Sequence, residues 1–371
     1  MKRGVNLGNW LVLEKWMSPA LFEGTGADDE ATLVTSLPED TLRRMYRVHR
    51  DEWVNDRDFA FLARLGVDLV RLPVPYFVFG GFEPYVACVD YVDRAFEWAQ
   101  RHGIRVLLDL HTVPDSQNGF DNGGMTGVCK WHQNPSHVQT AVDVVDALAA
   151  RYAAKPNLWG IEVLNEPITQ ELWELLDVPR RYPAADPEYA RGSEGVPTSV
   201  LSDYYHRAYE RIRHHSATAR VVFHDGFRTA EWFSVLTSPD FTDIAVDLHL
   251  YLMMHTLAHG RQGLDGYVSH IRTDLANKLQ EASRHFPVIV GEWCADTSNP
   301  DADTLDPVSR RAYYQRLYQE QDRAFAAAEA WAYWSYKGLS DEPARDVWDF
   351  GKAVALGLLP GRVTQRAPLA S

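Results

Sequence analysis

"WGIEVLNEPIT", residues 159–169, contains an apolar run, Ile161 to Leu164, that stops abruptly at Asn165 and Glu166 and is closed by Pro167. β-Branched and aliphatic residues bounded by a proline read as a short buried strand. A carboxylate at the tip of such a strand is costly to bury unless it has a partner or a task. The rest of the chain repeats the pattern. Apolar runs at residues 4–7, 69–72, 105–110, 160–164, 220–223, 244–249, 288–291 and 331–334 alternate with helical stripes. The stripes fall at 53–65, 89–102, 137–152, 201–214, 264–284 and 309–328, with shorter ones at 230–236 and 350–358. In "DYVDRAFEWAQRHG", residues 90–103, Tyr91, Ala95, Phe96, Trp98 and Ala99 share one helical face and Gly103 supplies the stop. Strands alternating with helices imply a parallel sheet, and about eight such units predict a single (β/α)8 barrel domain over 1–371. The runner-up, an open doubly wound sheet, wants a glycine-rich phosphate loop after the first strand, and "VNLGNW" has Gly8 alone. The Pro-, Gly- and charge-rich stretch at about 176–199 predicts a long loop after the fourth strand, on the C-terminal face of the barrel.

Composition narrows the partners. Acidic residues outnumber basic ones 51 to 37, a net charge of −14 that disfavours nucleic acid and anionic membranes and suits a neutral small molecule such as a sugar. Twelve Trp and seventeen Tyr serve either core packing or sugar stacking. Cys88, Cys129 and Cys294 form no C-x-x-C pair and read as free thiols in a reducing compartment. The N-terminus enters patterned sequence directly, so a cytoplasmic location is expected. No run of about 18 apolar residues predicts a membrane span.

In a barrel, chemistry sits where strands end. In order, those positions carry Arg71, His111, Asn165 with Glu166, His224 with Asp225, His249 with Tyr251, Glu292 and Trp334. Each alone has a structural explanation: an ion-pair partner, a satisfied histidine, a packing residue. Their coincidence on one rim points to a site. Glu166 and Glu292 lie three strands apart, across the barrel mouth. Two facing carboxylates are what glycosidic cleavage requires: one protonates the departing oxygen, the other attacks the anomeric carbon or activates water. The first is expected to have its pKa raised by burial and by the second carboxylate, and the second to be kept ionised by Arg71 and Tyr251.

These residues resemble the pattern of glycoside hydrolase family 5, matched by Arg71, His111, Asn165, Glu166, His249, Tyr251, Glu292 and Trp334. The resemblance runs from Arg3 to about Pro360. It implies a retaining β-glycosidase with Glu166 as acid/base and Glu292 as nucleophile. It further implies that Asn165 binds the sugar 2-hydroxyl, that His249 and Tyr251 position the carboxylates, and that Trp334 forms the floor of the −1 subsite. Four segments, "RGVNLGNWLVLEKW", "DLHTVPDSQNGFDNGG", "GIEVLNEP" and "VWDFGKAVALGLLP", are similar to fungal exo-β-1,3-glucanases of that family. That similarity implies that Glu14, Asp121 and Asn122 hold the terminal glucose. The chain has "GNW" where those enzymes carry a double glycine, and it lacks their disulfide cysteines; a secretion leader is likewise not expected.

The expected function is hydrolysis of terminal β-D-glucosidic bonds of short oligosaccharides or glucosides by double displacement, with no metal and no cofactor. Rival readings are an endo-acting β-glucanase or mannanase, a β-glycosidase for a glycoconjugate or disaccharide glycoside, and a non-catalytic carbohydrate-binding protein. His255 and His259, spaced i, i+4, lack the H-E-x-x-H context and a third ligand. Cys294, two residues past Glu292, reads as a buried spectator.

Overall fold

The computed structural model of the protein describes residues 1–237, 239–340 and 342–362, so residues 363–371 of the expected domain lie outside it. Eight parallel strands close into a barrel in chain order: β1 (Lys2–Asn6), β2 (Leu69–Val74), β3 (Arg105–Leu110), β4 (Leu158–Glu162), β5 (Val221–His224), β6 (Ile244–His249), β7 (Val288–Trp293) and β8 (Ala330–Tyr333). This is the (β/α)8 barrel that the alternation predicts. Around it run α1 (Glu30–Ser36), α2 (Glu39–Trp53), α3 (Asp56–Leu65), α4 (Val89–Arg101), α5 (Pro135–Tyr152), α6 (Gln170–Leu175), α7 (Val178–Arg181), α8 (Pro187–Ala190) and α9 (Thr198–His215). The series continues with α10 (Leu252–His259), α11 (Leu264–His270), α12 (Ala276–Ala282), α13 (Pro307–Ala324) and α14 (Phe350–Ala355). A π turn, Ile271–Leu275, joins α11 to α12, so the expected helix at 264–284 is continuous but locally widened. Among the described residues no helix is long and apolar enough to cross a membrane.

Strand alternation sorts side chains to two environments. Outward residues such as Val70, Val106, Ile161 and Val246 join the large core beneath the helices. Inward residues Leu69, Leu107, Val222, Ala245, Ile289 and Ala330 form a separate apolar plug at the N-terminal end of the barrel. Two residues further along β2, β3, β5 and β6 the same face turns polar, with Arg71, Asp109, His224 and Asp247, and the site is built on that storey.

Three departures from the sequence reading have local causes. The helix expected at 53–65 divides in two at Val54–Asn55. The Asn55 side chain accepts from the Arg57 N–H at 3.0 Å, and Asp58 accepts from the Asn55 N–H at 2.8 Å. That reciprocal cap starts α3 afresh. The preceding α2 carries His49 and Arg50 on its buried face beside Leu42, Tyr46 and Trp53, which hides its stripe. The stretch at 176–199 is not one irregular loop but carries α7 and α8, pinned where the Tyr189 hydroxyl donates to Asp115 at 2.6 Å.

Candidate active site

The polar storey centres on Arg71, fully buried inside the barrel. Its Nε and Nη2 donate to the two oxygens of Glu162 at 2.7 and 3.0 Å. Nη1 donates to Asn6 Oδ1 at 3.1 Å and Glu292 Oε1 at 2.9 Å, and Nη2 to Asn165 Oδ1 at 2.8 Å. Asp109 stands 3.1 Å and Asp247 3.8 Å away. Burial disfavours the guanidinium charge, but Asp109, Glu162 and Glu292 outweigh it and hold the pKa well above the ordinary value. Gly291 makes room for this cluster. Its N–H donates to Asp247 Oδ1 at 2.5 Å, and a Cβ there would fall 1.7 Å from Asp247 Oδ2.

Above Arg71 sit the two glutamates. Glu166 lies four residues past β4, in the left-handed region at φ 42°, a strained conformation for a residue with a side chain. Gln117 fixes the segment by donating to Asn165 O at 2.8 Å and accepting the strand's continuation through its own carbonyl, which receives the Ile168 N–H at 3.2 Å. Glu292 lies within β7. The Nδ1 of His249 is 2.7 Å from Glu166 Oε1 and 3.5 Å from Glu292 Oε2, so their sum, 6.2 Å, is the upper limit on the separation of those oxygens. That limit is short of the roughly 6.5–9.5 Å of inverting glycosidases and accommodates the ~5–5.5 Å of retaining ones. Tyr251 donates its hydroxyl to Glu292 Oε2 at 2.8 Å.

The protonation pattern reverses the sequence expectation. Burial pushes Glu166 up, but the charge and hydrogen bond of His249 and the Asn122 amide outweigh it, leaving Glu166 below the usual carboxylate range. Burial alone would lower His249, yet Glu292, Asp247 and Glu166 raise it well above the ordinary imidazole value. Glu292 is raised by burial and by Glu166, against the pull of His249 and Arg71. The imidazole of His249, 2.7 Å from Glu166, is therefore the group in this trio whose protonated form its surroundings favour. The expectation failed because it counted the carboxylates and omitted the imidazole between them.

The remaining expected residues converge on the same mouth. Asn165 gives its oxygen to Arg71, and its Nδ2 has no partner among the described residues. His111 donates through Nδ1 to Asp109 at 2.6 Å, leaving Nε2 likewise unpartnered, and its ring stacks on Trp334 at 5.5 Å and 6°. Glu14 accepts from Trp16 Nε1 at 2.8 Å through one oxygen while the other stays buried and unpartnered. Buried polar atoms are ordinarily satisfied. All three belong to residues the sequence reading expects to bind sugar. Burial, then Asp121, raise Glu14 well above the carboxylate range, and burial lifts Asp121 to about 6. Asn122 lines the cleft, and its amide donates to Glu166 Oε2 at 2.7 Å.

A profile of the family described as cellulase, glycosyl hydrolase family 5, matches residues 26–339. The chain belongs to glycosyl hydrolase family 5. It is a glycoside hydrolase and a retaining β-glycosidase. Similar relatives include a probable glucan 1,3-beta-glucosidase A of Aspergillus fumigatus, 30% identical over 98% of this chain and 88% of that one. Glucan 1,3-beta-glucosidase 2 of Wickerhamomyces anomalus is 28% identical with the same coverage. In fold the chain is similar to a rutinosidase from Aspergillus niger, with a TM-score of 0.76 at 19% identity over 96% of this chain and 97% of that one.

Other rim candidates of this family 5 chain fall into supporting positions. His224 accepts the Gly226 N–H at 2.8 Å, and burial, with His249 beside it, drives its pKa far down. It is a neutral ring packed edge-on to His249 at 4.3 Å. Asp225 accepts from the Phe227 N–H at 2.8 Å and from Thr229, holding a turn. Two trios could offer metal ligands, Glu166–His224–His249 and Glu162–Asp247–His249. In the first, one His224 nitrogen is already taken by Gly226; in the second, Arg71 is the bound cation. The His255–His259 pair gains a third ring, His270, stacked 4.0 Å from His255, but His270 Nδ1 is tied to Asp274 at 2.7 Å. The thiol of Cys294 is buried, and burial pushes its pKa well up.

Sequence reasoning missed Asn6, Asp109, Glu162, Asp247, Gln117, Trp16 and Trp348. For two of them a signal existed: Asp109 and Asp247 each stand two residues before a rim histidine, on the same strand face. Trp348, which stacks on Tyr251 at 5.6 Å and meets Trp16 edge-on at 5.5 Å, comes from the loop after β8, in the segment "VWDFGKAVALGLLP" whose similarity was noted without giving this residue a role.

Proposed function

We propose that this family 5 enzyme is an exo-acting β-glucosidase that releases glucose from the non-reducing end of β-glucosides and short β-gluco-oligosaccharides. The observation that carries the reading is one cleft lined by both glutamates together with Glu14, Asp121, Asn122 and Trp334, with Glu14 Oε1 buried and unpartnered. A glucosyl ring between Trp334 and the carboxylates would place its outer hydroxyls against Glu14 and Asp121, which accept from them. Trp16 and Trp348 wall the end of the cleft formed by the β1 and β8 loops, which favours a single terminal sugar. The names of the relatives, glucan 1,3-beta-glucosidases, support a β-1,3 linkage among those cleaved.

In this reading Glu292 attacks C1, directed by Arg71 and Tyr251 on its two oxygens. The proton on His249 passes across the 2.7 Å hydrogen bond to Glu166, which delivers it to the departing oxygen. Glu166, then ionised, takes a proton from water as the water attacks C1 and frees Glu292. Product analysis on a β-1,3-linked glucose pentamer tests the exo reading: glucose and tetramer alone are expected as first products. Early dimer and trimer would replace it with an endo-acting glucanase.

A further inference from the structure

The cleft is larger than a glucose pocket requires. Its volume is about 1190 Å³, above the roughly 300–1,000 Å³ that suffices for a whole drug-sized ligand. The expected sugar ligands Glu14, Asp121 and Trp334 follow β1, β3 and β8. The other half of the mouth, after β4, β5 and β6, must then receive the leaving group. Its lining differs in kind.

From α6 and the residue that caps it, Leu172 and Leu176 face the cleft one turn apart. From α10, Met253, Met254 and Leu257 do the same, and Phe227 enters from the β5 loop. Leu257 is 40% exposed, an apolar side chain left facing the opening. Some polar groups of this half are already engaged. Thr256 donates to Thr297 O at 2.6 Å, His270 is tied to Asp274, and Lys278 is 3.9 Å from Asp225. Arg181, Tyr182, His255 and His259 line it as well; His255 keeps an unpartnered Nδ1, with its ring flat against His270.

A second sugar here would bring several hydroxyls against a wall made largely of Leu172, Leu176, Phe227, Met253, Met254 and Leu257, where most of them would lose water without gaining a partner. Thioethers and aliphatic chains instead complement apolar surface, and two adjacent methionines adapt to varied shapes. Resting on the β-glucosidase reading above, we propose that the leaving-group half of the cleft takes an apolar alcohol, aliphatic or aromatic, so that the preferred substrates are β-glucosides of hydrophobic aglycones. The bond made and broken is unchanged: the aglycone leaves as a neutral alcohol bearing the proton from Glu166.

A homologous series of n-alkyl β-D-glucosides, methyl to octyl, tests this with leaving-group chemistry held constant. The expected result is a kcat/KM that rises on the order of tenfold or more along the series, with octyl β-glucoside ahead of the β-1,3-linked glucose disaccharide. The double variant Met253→Ser, Leu257→Ser should flatten the series, losing far more on octyl β-glucoside than on β-glucosyl fluoride, which has almost no aglycone. A flat wild-type series, preference for the disaccharide, or an unchanged slope in the variant would overturn the proposal. β-Glucosyl fluoride separates the levels: its hydrolysis by wild-type enzyme upholds the β-glucosidase reading even where the alkyl series is flat. Its failure to react removes both readings.

Discussion

Arg71, His249 and the two glutamates form one charge system, so each substitution acts on the others. Replacing Arg71 by Met removes the cation from among Asp109, Glu162, Asp247 and Glu292, all of them buried. Unfolding by denaturant should show a loss of roughly 3–5 kcal/mol, the cost of leaving buried charge uncompensated. His249 controls the pH profile. Activity of the free enzyme needs one proton on the Glu166–His249 pair and none on Glu292. Since His249 is raised above its ordinary 6.5, the basic limb of kcat/KM should lie above that value; since Glu292 is raised above 4.5, the acidic limb should lie above an ordinary carboxylate's. In His249→Gln the imidazole is gone, burial and Glu292 together raise Glu166, and the basic limb should report Glu166 itself. At neutral pH the variant should lose roughly 10²–10⁴-fold in kcat/KM; an unshifted basic limb would show that His249 does not store the proton. Glu166 and Glu292 themselves were legible as residues because a carboxylate at the end of an apolar run is conspicuous. Their protonation was not legible, since it depends on an imidazole brought from β6.

At the scale of elements, α1 ties together two loops that carry expected sugar ligands. Its N-cap Asp29 accepts from Thr126 N and Oγ1 at 2.7 and 3.0 Å, fixing the β3 loop that bears Asp121 and Asn122. Its first residue, Glu30, accepts from the Leu13 N–H at 3.2 Å, beside Glu14, and from the Tyr46 hydroxyl at 2.6 Å. Asp29→Ala should cost about 2–3 kcal/mol, a lost cap plus two lost bonds, and should raise KM more than it lowers kcat. Glu30 gives a pH signature. Burial raises it to about 7 from 4.5, so the folded state binds its proton more tightly than the unfolded chain. Stability from this group is full below about pH 4.5 and declines as pH rises to about 7, by about 3 kcal/mol. Thermal unfolding of Glu30→Gln across pH 4.5–8 should lack that decline. Helix α1 escaped sequence analysis because seven residues, EATLVTS, give too short a stripe to recognise. Its cap bonds span 97 residues to Thr126, a distance no local pattern reveals.

For the whole molecule, closure of eight strands in chain order turns sequence positions far apart into neighbours around one mouth. The barrel was readable because short apolar runs alternate with helical stripes along the chain. What lies inside it was half readable. Rim residues stood out at strand ends, whereas the polar storey beneath them alternates with core residues, and in "RVLLDL" Asp109 looks like an interruption. The acidic surface, net −14, should keep the enzyme from polyanions: binding to heparin or DNA at physiological salt is expected to be absent by fluorescence anisotropy.

The central claim is that Glu292 forms a covalent bond to the sugar. Incubation with 2-deoxy-2-fluoro-β-D-glucosyl fluoride, whose electron-poor ring slows release of the glycosyl-enzyme, followed by mass spectrometry of proteolytic peptides, tests it directly. The account predicts stoichiometric inactivation with the fluoroglucosyl mass on Glu292 alone. Label on Glu166 or on another residue, or steady turnover with no adduct, would contradict it.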